Sequence, residues 1–533
     1  MQNKNERNTM TKDSNSPTNG LPLSRRTFLN ATMAVGIGAL GASAFPGSTH
    51  AETPKKGGIL KMGLGGGEST NSLDPAAAIS EVPVHTLRTW GEPLLDINPD
   101  GTFDWRLAES AEPSKDAKTW AFKIRGGVQF HNGKTMTAED VLATMRRHSD
   151  AKTKSAALGI MRGIADMKAD GDKFIVTLAA PNIGLPFLMS TSALVIQPNG
   201  GLDNPGAGIG TNAYRVVENV PGVRYGFERF ANYWDQSRGH FDQVQILVIN
   251  DPSARTAALQ SGQVHIITKV SPKIAHLLKR APGVEVKNVT GRAHYVFVML
   301  CDTAPFDNND LRMALKLAID REEMVDKILA GYGKVGNDFP INGAYADFDD
   351  TIPQRTFDPV KAAEYYKKSG HDGSPIILRV SDVAFPGAVD AAQLFQQSAA
   401  KAGIPLQIKQ EPGDGYWSEV WNKQPFCATY WGGRPTQDQM YSTVYLSTAD
   451  WNETHFKNKK FDELLVQARG EFDDAKRKAL YKEMDLLVRD EGGTICPMFN
   501  DYVEGIRSEV KGWEANSVWE LMNGLAPHKC WFG

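Results

Sequence analysis

The chain has 533 residues, 41% hydrophobic and 23% charged, the balance of a soluble globular protein long enough for two or more lobes. Lysine and arginine number 59 against 62 aspartates and glutamates, a net charge of -3, so the basic excess of a nucleic-acid coat is missing. Four cysteines exclude a disulfide-dense scaffold, and 50 glycines with 29 prolines point to many turns without low complexity.

Residues 1–23 are polar, and Ser24-Arg25-Arg26-Thr27-Phe28-Leu29 follows them. That hexapeptide resembles the twin-arginine export signal. The apolar run over 31–45 is too short and glycine-rich for a membrane span, and small residues lead to a cleavage site after Ala51. The alternative is a chance arginine pair before a membrane anchor. Residues 1–51 carry five basic and two acidic side chains, and their removal leaves 54 basic and 60 acidic ones, a net charge of -6. No cysteine precedes Cys301, so there is no lipobox cysteine to acylate. The expectation is a free periplasmic protein, not a lipoprotein. Gly36-Ile37-Gly38-Ala39-Leu40-Gly41 fits G-x-G-x-x-G but follows no strand, so a dinucleotide site fails its context test.

Beyond the signal, 56–63 reads as a short strand entering the glycine loop Gly65-Gly66-Gly67-Glu68-Ser69-Thr70. Two alternating strands are expected near 118–130, with Trp120, Phe122 and Ile124 on one face, a turn at Gly126-Gly127, then Val128 and Phe130. Thr137 and Asp140 have the spacing of a capping box at a helix start. Strands are expected over 173–178 and 244–249. Leu311, Ala314, Leu315 and Ala318 form a helical stripe, Asp320 caps a second helical segment, and Gly331 lies just past its end. Pro359 sits at a helix start, and 375–410 reads strand, helix, strand. This alternation predicts an α/β fold.

Several separate segments carry a family resemblance. Leu73-Asp74-Pro75, Leu107-Ala108-Glu109-Ser110, the run from Trp120 to Gly133, Thr137-Ala138-Glu139-Asp140-Val141, 208–214, Asn232-Tyr233-Trp234 and 304–321 stand in the order and spacing of one family's motifs. Over 56–515 the chain resembles the extracytoplasmic solute-binding proteins of ABC importers of the dipeptide, oligopeptide and nickel class, solute-binding protein family 5. The resemblance implies a two-lobed periplasmic binding protein fold (class II, Venus-flytrap type) with an extra subdomain on the N-terminal lobe. By analogy the N-terminal lobe takes 54–80, 206–296 and 508–533, the extra subdomain 81–205, and the second lobe 297–507, with crossings near 296 and 507. It implies ligand capture by hinge closure, permease and cytoplasmic ATPase partners, a monomer, and no enzymatic activity.

In peptide-binding relatives the loop at Tyr430-Trp431-Gly432-Gly433-Arg434-Pro435-Thr436-Gln437-Asp438 reads roughly W-x-x-D-x-x-D-P, and its first acid pairs with the peptide's α-ammonium. Matching on Trp431 places Arg434 where that acid belongs. A guanidinium repels an ammonium and offers a planar fork to carboxylate or phosphate. The expected solute is therefore anionic: an acidic peptide, an opine-like conjugate or a metal–polycarboxylate chelate. The alternatives are a structural Arg434–Asp438 ion pair, and a general di- or oligopeptide-binding protein or peptide-binding chaperone. Further cleft candidates are Ser69, Thr70 and Asn71 after the first glycine loop, Arg292, His294 and Tyr295 before the first crossing, and Tyr416 and Trp417 after Gly413-Asp414-Gly415. Asn212 and Tyr214 are placed on the hinge side of the cleft.

No H-x-x-H, C-x-x-C or H-E-x-x-H occurs, so neither a dedicated metal site nor a cofactor is expected, and only His294 and His455 are placed near the cleft. Among three possible pairings of Cys301, Cys427, Cys496 and Cys530, Cys301–Cys427 is the first choice, with reduced thiols equally compatible. The region after residue 51 has no G-x-S-x-G elbow and no Walker loop.

Overall fold

The computed structural model describes residues 53–99, 101–345 and 347–533. The expected export signal over 1–51 lies outside the described residues.

The strand Ile59–Leu64 forms at the expected place and buries Leu60, Met62 and Leu64 completely. It runs parallel to Gln243–Val248 and to Ile266–Ile267 in the middle of a seven-stranded sheet. Tyr214–Val220 and Arg224–Arg229 extend one side, and Tyr502–Arg507 and Val284–Val289 extend the other, all antiparallel to their neighbours. The helix Glu81–Trp90 packs on this sheet, with Val82, Leu87 and Trp90 in the same core as Leu60 and Met62. Its placement there is at odds with a subdomain boundary at 81.

A second, six-stranded sheet has the order Gly333–Val335, Thr494–Asn500, His294–Met299, Phe426–Trp431, Ile376–Val380, Leu406–Gln410. His294–Met299 and Thr494–Asn500 lie inside this sheet and are buried along their whole length, so they read as mostly apolar runs without alternation. The helices Asn309–Leu317, Pro359–Lys368 and Ala388–Ala400 stand where the sequence places them, the first two capped by Asn308 and Asp358. Asp320 caps Arg321–Met324, its carboxylate accepting from Glu323 N at 3.0 Å.

The chain passes between the sheets at 289–294 and again at 500–502. The crossings expected near 296 and 507 fall inside strands of the second and first sheet, respectively. Their all-apolar or alternating patterns carry no mark of where one sheet ends. The two crossing segments lie side by side, Asn500 N donating to Ala293 O at 3.2 Å.

A third sheet of four strands, Ala108–Pro113, Thr119–Ile124, Lys173–Leu178 and Ile164–Asp170, has its own core around Phe122, Phe174 and Val176. Trp120, Phe122 and Ile124 share the buried face as expected. Residues 126–130 are not the partner strand. Thr119–Ile124 pairs with Ala108–Pro113 and Lys173–Leu178, while Val128 and Phe130 are buried in irregular chain. The turn glycines mark a bend, and long-range pairing decides the neighbour. Thr137 N donates to Asp140 Oδ2 at 3.0 Å, as the capping spacing predicts for the helix Ala138–Ser149.

All four cysteines are free thiols, so the Cys301–Cys427 pairing is not made. Cys427 is buried in the second sheet, opposite Val298, whereas Cys301 lies past the end of the Val298 strand.

Candidate ligand-binding site

Two glycine-bearing loops leave the carboxyl ends of Ile59–Leu64 and Phe426–Trp431, the position where open α/β sheets hold ligands. The lobes are closed on each other here. Trp417 N donates to Glu68 Oε1 at 2.8 Å, and Gly433 N donates to Tyr502 Oη at 2.9 Å. Lys269 Nζ lies 3.5 Å from the centroid of the Tyr430 ring. At the rim, Ser69 Oγ donates to Asp414 Oδ1 at 3.3 Å. Glycine is required where the lobes meet: a Cβ on Gly433 would stand 2.4 Å from Val518 O, and one on Gly432 would stand 3.0 Å from the Trp519 indole.

A cavity of about 80 Å³ remains between these elements, room for a few water molecules. Trp417, Trp421, Trp431, Trp451, Trp519 and Tyr430 line it. Trp421 packs edge-on against Trp431 at 6.4 Å and Trp451 at 6.0 Å, a rigid apolar surface for a ligand body. The buried carboxyl of Glu453 holds these rings in place, accepting from Trp421 Nε1 at 2.5 Å and Trp431 Nε1 at 2.6 Å. Burial pushes the Glu453 pKa up to about 7.

The first-lobe wall is the helix Glu81–Trp90, whose Glu81, His85 and Arg88 follow the i, i+4, i+7 spacing of one face. Glu81 Oε2 pairs with Lys269 Nζ at 3.0 Å. Although burial opposes it, Lys269 and His85 hold the Glu81 carboxyl below its ordinary range, while burial and Glu81 drive the neighbouring Glu520 well above it. Burial lowers His85 to about 4, so its ring is neutral near pH 7. Glu81, His85 and Glu520 approach within 4.8 Å, a spacing that could enclose a metal ion. The Lys269 ammonium already neutralises Glu81, and burial beside Glu81 disfavours the charged form of Glu520, so the donor set does not suit a divalent cation.

Unmet donors gather at this cavity. Arg88 Nη1 pairs with Asp96 at 2.7 Å, but its Nε and Nη2 have no acceptor. Trp417 Nε1, Trp519 Nε1 and both His85 ring nitrogens also lack partners. Arg434 uses Nη1 on Gly433 O at 3.0 Å and Gly432 O at 3.3 Å, and its guanidinium stands 5.5 Å from the Trp431 ring centre. Burial lowers its pKa, opposed by Tyr345, Tyr502 and Tyr430. Among the described residues no carboxylate pairs with it. The alternative Arg434–Asp438 pair is not formed: Asp438 binds Arg469 Nε at 2.7 Å.

Of the residues singled out from sequence, Trp417, Tyr430, Trp431, Gly432, Gly433 and Arg434 line the cavity. The others do not. Arg292 braces the loop, donating to Arg434 O at 2.9 Å and Pro435 O at 2.8 Å. His294 is buried against Phe499, and Tyr295 stacks on Phe385 at 4.3 Å. The Tyr416 hydroxyl donates to Ala428 O at 2.7 Å. Ser69 and Thr70 are exposed at the rim, Asn71 Oδ1 accepts from Glu68 N at 2.8 Å, and Asp438 serves Arg469. His455 does not line the cavity and bonds Asp302 at 2.7 Å. Asn212 and Tyr214 are buried, Asn212 donating to Arg88 O at 2.9 Å.

Sequence reasoning missed His85, Arg88, Gln439, Trp519 and Asn523. Polar residues at i, i+4 and i+7 of a short apolar segment were the available signal for the first two. Trp519 and Asn523 are brought in by a turn whose Leu521, Met522 and Asn523 have φ of 54°, 58° and 59°, a left-handed run that no sequence pattern announces. The extra subdomain closes the far side, where Ser190, Thr191 and Ala156 line the cavity and the Arg162 guanidinium donates to Thr448 O.

Two lobes closed over a donor-rich, tryptophan-lined cavity define a solute-binding protein. The family model "Bacterial extracellular solute-binding proteins, family 5 Middle" matches residues 103–453, and the chain belongs to that family. It is 25% identical over 443 residues to the glutathione-binding protein GsiB of Shigella dysenteriae, covering 80% of this chain and 86% of that one. Among solved structures it resembles the binding protein AgaA of A. tumefaciens R10 in complex with agropinic acid, with a TM-score of 0.81, 22% identity, and 89% and 99% of the two chains covered. It also resembles the periplasmic DppA of Helicobacter pylori in complex with the peptide STSA, with a TM-score of 0.81, 19% identity, and 90% and 98% covered. The family is one of binding proteins, not enzymes. Among the described residues no helix is long and apolar enough to cross a membrane.

Proposed function

We propose that the protein captures a small anionic solute in the periplasm by closing its lobes and delivers it to the permease of an ABC importer. In this reading it acts as a monomer exported by the twin-arginine signal, and the solute is an acidic peptide, an opine-like conjugate or a metal–polycarboxylate chelate. The observation that carries the reading is Arg434, a guanidinium beside the interlobe cavity with no carboxylate partner. Arg434 is a half-buried cation without a counter-charge, partly stripped of water, and an anionic solute supplies that charge on closure. Closure then depends on the solute, because the solute binds the closed form better than the open one. Glutathione and agropinic acid, named for two of the similar proteins, both carry carboxylates.

Native mass spectrometry of the protein purified without denaturation is the first test, followed by titration with glutathione, agropinic acid and the carboxylate-free C-terminal amide of the peptide Ser-Thr-Ser-Ala. The expected result is a carboxylate-bearing solute whose affinity falls about 10–100-fold in Arg434→Ala, the range for losing hydrogen bonds to a charged group. Binding of neutral peptides, unaffected by Arg434→Ala, would return the protein to general peptide uptake or to a peptide-binding chaperone.

A further inference from the structure

Resting on the anionic-solute reading, we infer a second carboxylate-binding subsite on the first-lobe wall, formed by the free Nε–Nη2 edge of Arg88, with Trp519 Nε1 an unpartnered donor on the same cavity, so that the solute carries two anionic groups. A guanidinium presents its Nε–H and one Nη–H as a parallel pair, the geometry that grips both oxygens of a carboxylate. Asp96 engages only Nη1, at 2.7 Å, and leaves that pair unused. Arg88 is 4% exposed and lines the cavity, so its free donors are buried ones, which proteins rarely leave unmet.

The surroundings keep the edge uncovered. The C-terminal turn passes Arg88 with Gly524, at φ 78°, and a Cβ there would stand 3.3 Å from Arg88 Nε. Any side chain at 524 would crowd the fork. The other charges on this wall are already matched: Glu81 with Lys269, and Asp96 with Arg88 itself. His85, neutral through burial, adds a donor and an acceptor without a charge. Arg434 in the second-lobe loop and Arg88 on the first-lobe helix line the same cavity. A solute with two carboxylates therefore ties the lobes together, one group to each.

The test compares probes that differ by one carboxylate: glutathione against its glycine monoethyl ester, and L-alanyl-L-glutamate against L-alanyl-L-glutamine. Affinities are measured by calorimetry on the parent, Arg434→Ala, Arg88→Lys, and the double variant Arg88→Met/Asp96→Asn. The double variant removes both members of the buried pair, so neither charge is left alone, and circular dichroism checks its fold. For at least one pair the diacid is expected to bind the parent about tenfold more tightly than its partner. That preference should collapse to within about twofold in the double variant and be weakened in Arg88→Lys, which lacks the planar fork. A preference that persists in the double variant overturns the subsite. So does equal binding of both members of each pair, or no diacid binding at millimolar concentration. If monoacids bind and Arg434→Ala abolishes that binding while no diacid preference exists, the second subsite falls and the anionic reading stands. If the C-terminal amide of Ser-Thr-Ser-Ala, which carries no carboxylate, binds as well as the acids, both fall.

Discussion

Gly433 bears its Cα hydrogen where any other residue would place a Cβ 2.4 Å from Val518 O and 2.8 Å from Arg292 Cβ. An ordinary close carbon–oxygen contact is about 3.3 Å, so Gly433→Ala is about 0.9 Å too tight. The obstacle is backbone, which cannot rotate away as a flexible side chain would. Gly433 follows a second-lobe strand, whereas Val518 lies in the segment packed on the first lobe, so parting the lobes is the available relief. Overpacking of this kind costs about 1–3 kcal/mol. Applied to closure alone, that weakens solute binding about 5–150-fold. Stability in the absence of solute should fall less than binding does, because the open form escapes the Val518 contact though not the one with Arg292, which stays with the loop. Calorimetry with the tightest-binding probe and small-angle scattering with and without it check the two halves. Affinity within about twofold of the parent, with normal compaction, would refute the reasoning.

Glu68→Ala removes the acceptor for Trp417 N–H across the cleft. It should weaken solute binding about 5–20-fold, while the solute-free melting temperature stays close to that of the parent. Glu453 has its folded pKa raised to about 7 from an unfolded value of 4.5, so the folded state holds the proton more tightly. Its contribution to stability is complete below pH 4.5 and is lost as pH rises through 7, on the order of 3 kcal/mol in all. Subtracting the Glu453→Gln profile from the parent's in urea melts between pH 4.5 and 8 should recover that slope; parallel profiles would contradict it. Mass spectrometry after alkylation in denaturant without reductant should find four modified cysteines, and brief alkylation of the native protein should reach Cys301 alone, the one thiol not fully buried. Fewer than four modified cysteines in denaturant would reveal a disulfide.

Much of the fold was legible because local signals agreed with it. Asn308 and Asp358 cap the helices they precede, and the apolar run over 426–431 is the strand that delivers the Trp431–Arg434 loop to the cleft. The loop itself could be read because Arg434 breaks a family pattern at one position, and a charge reversal is visible in sequence without coordinates. The hairpin over 118–130 was misplaced because its glycines fix a bend, whereas the partner strand Lys173–Leu178 is chosen by packing some fifty residues away.

The sequence alone determined the class of fold, the alternation of strands and helices, and the second-lobe loop that lines the candidate cavity, since each depends on periodicity, capping or a motif within one segment. Only the tertiary structure decided the rest. It set Tyr295 and His294 inside the core, gave Asp438 to Arg469, and brought Arg88, Trp519 and Arg434 to one cavity from positions up to 431 residues apart. Whether a buried arginine is a structural ion pair or a free donor depends on which carboxylates the folded chain places within reach, and no local pattern encodes that distance.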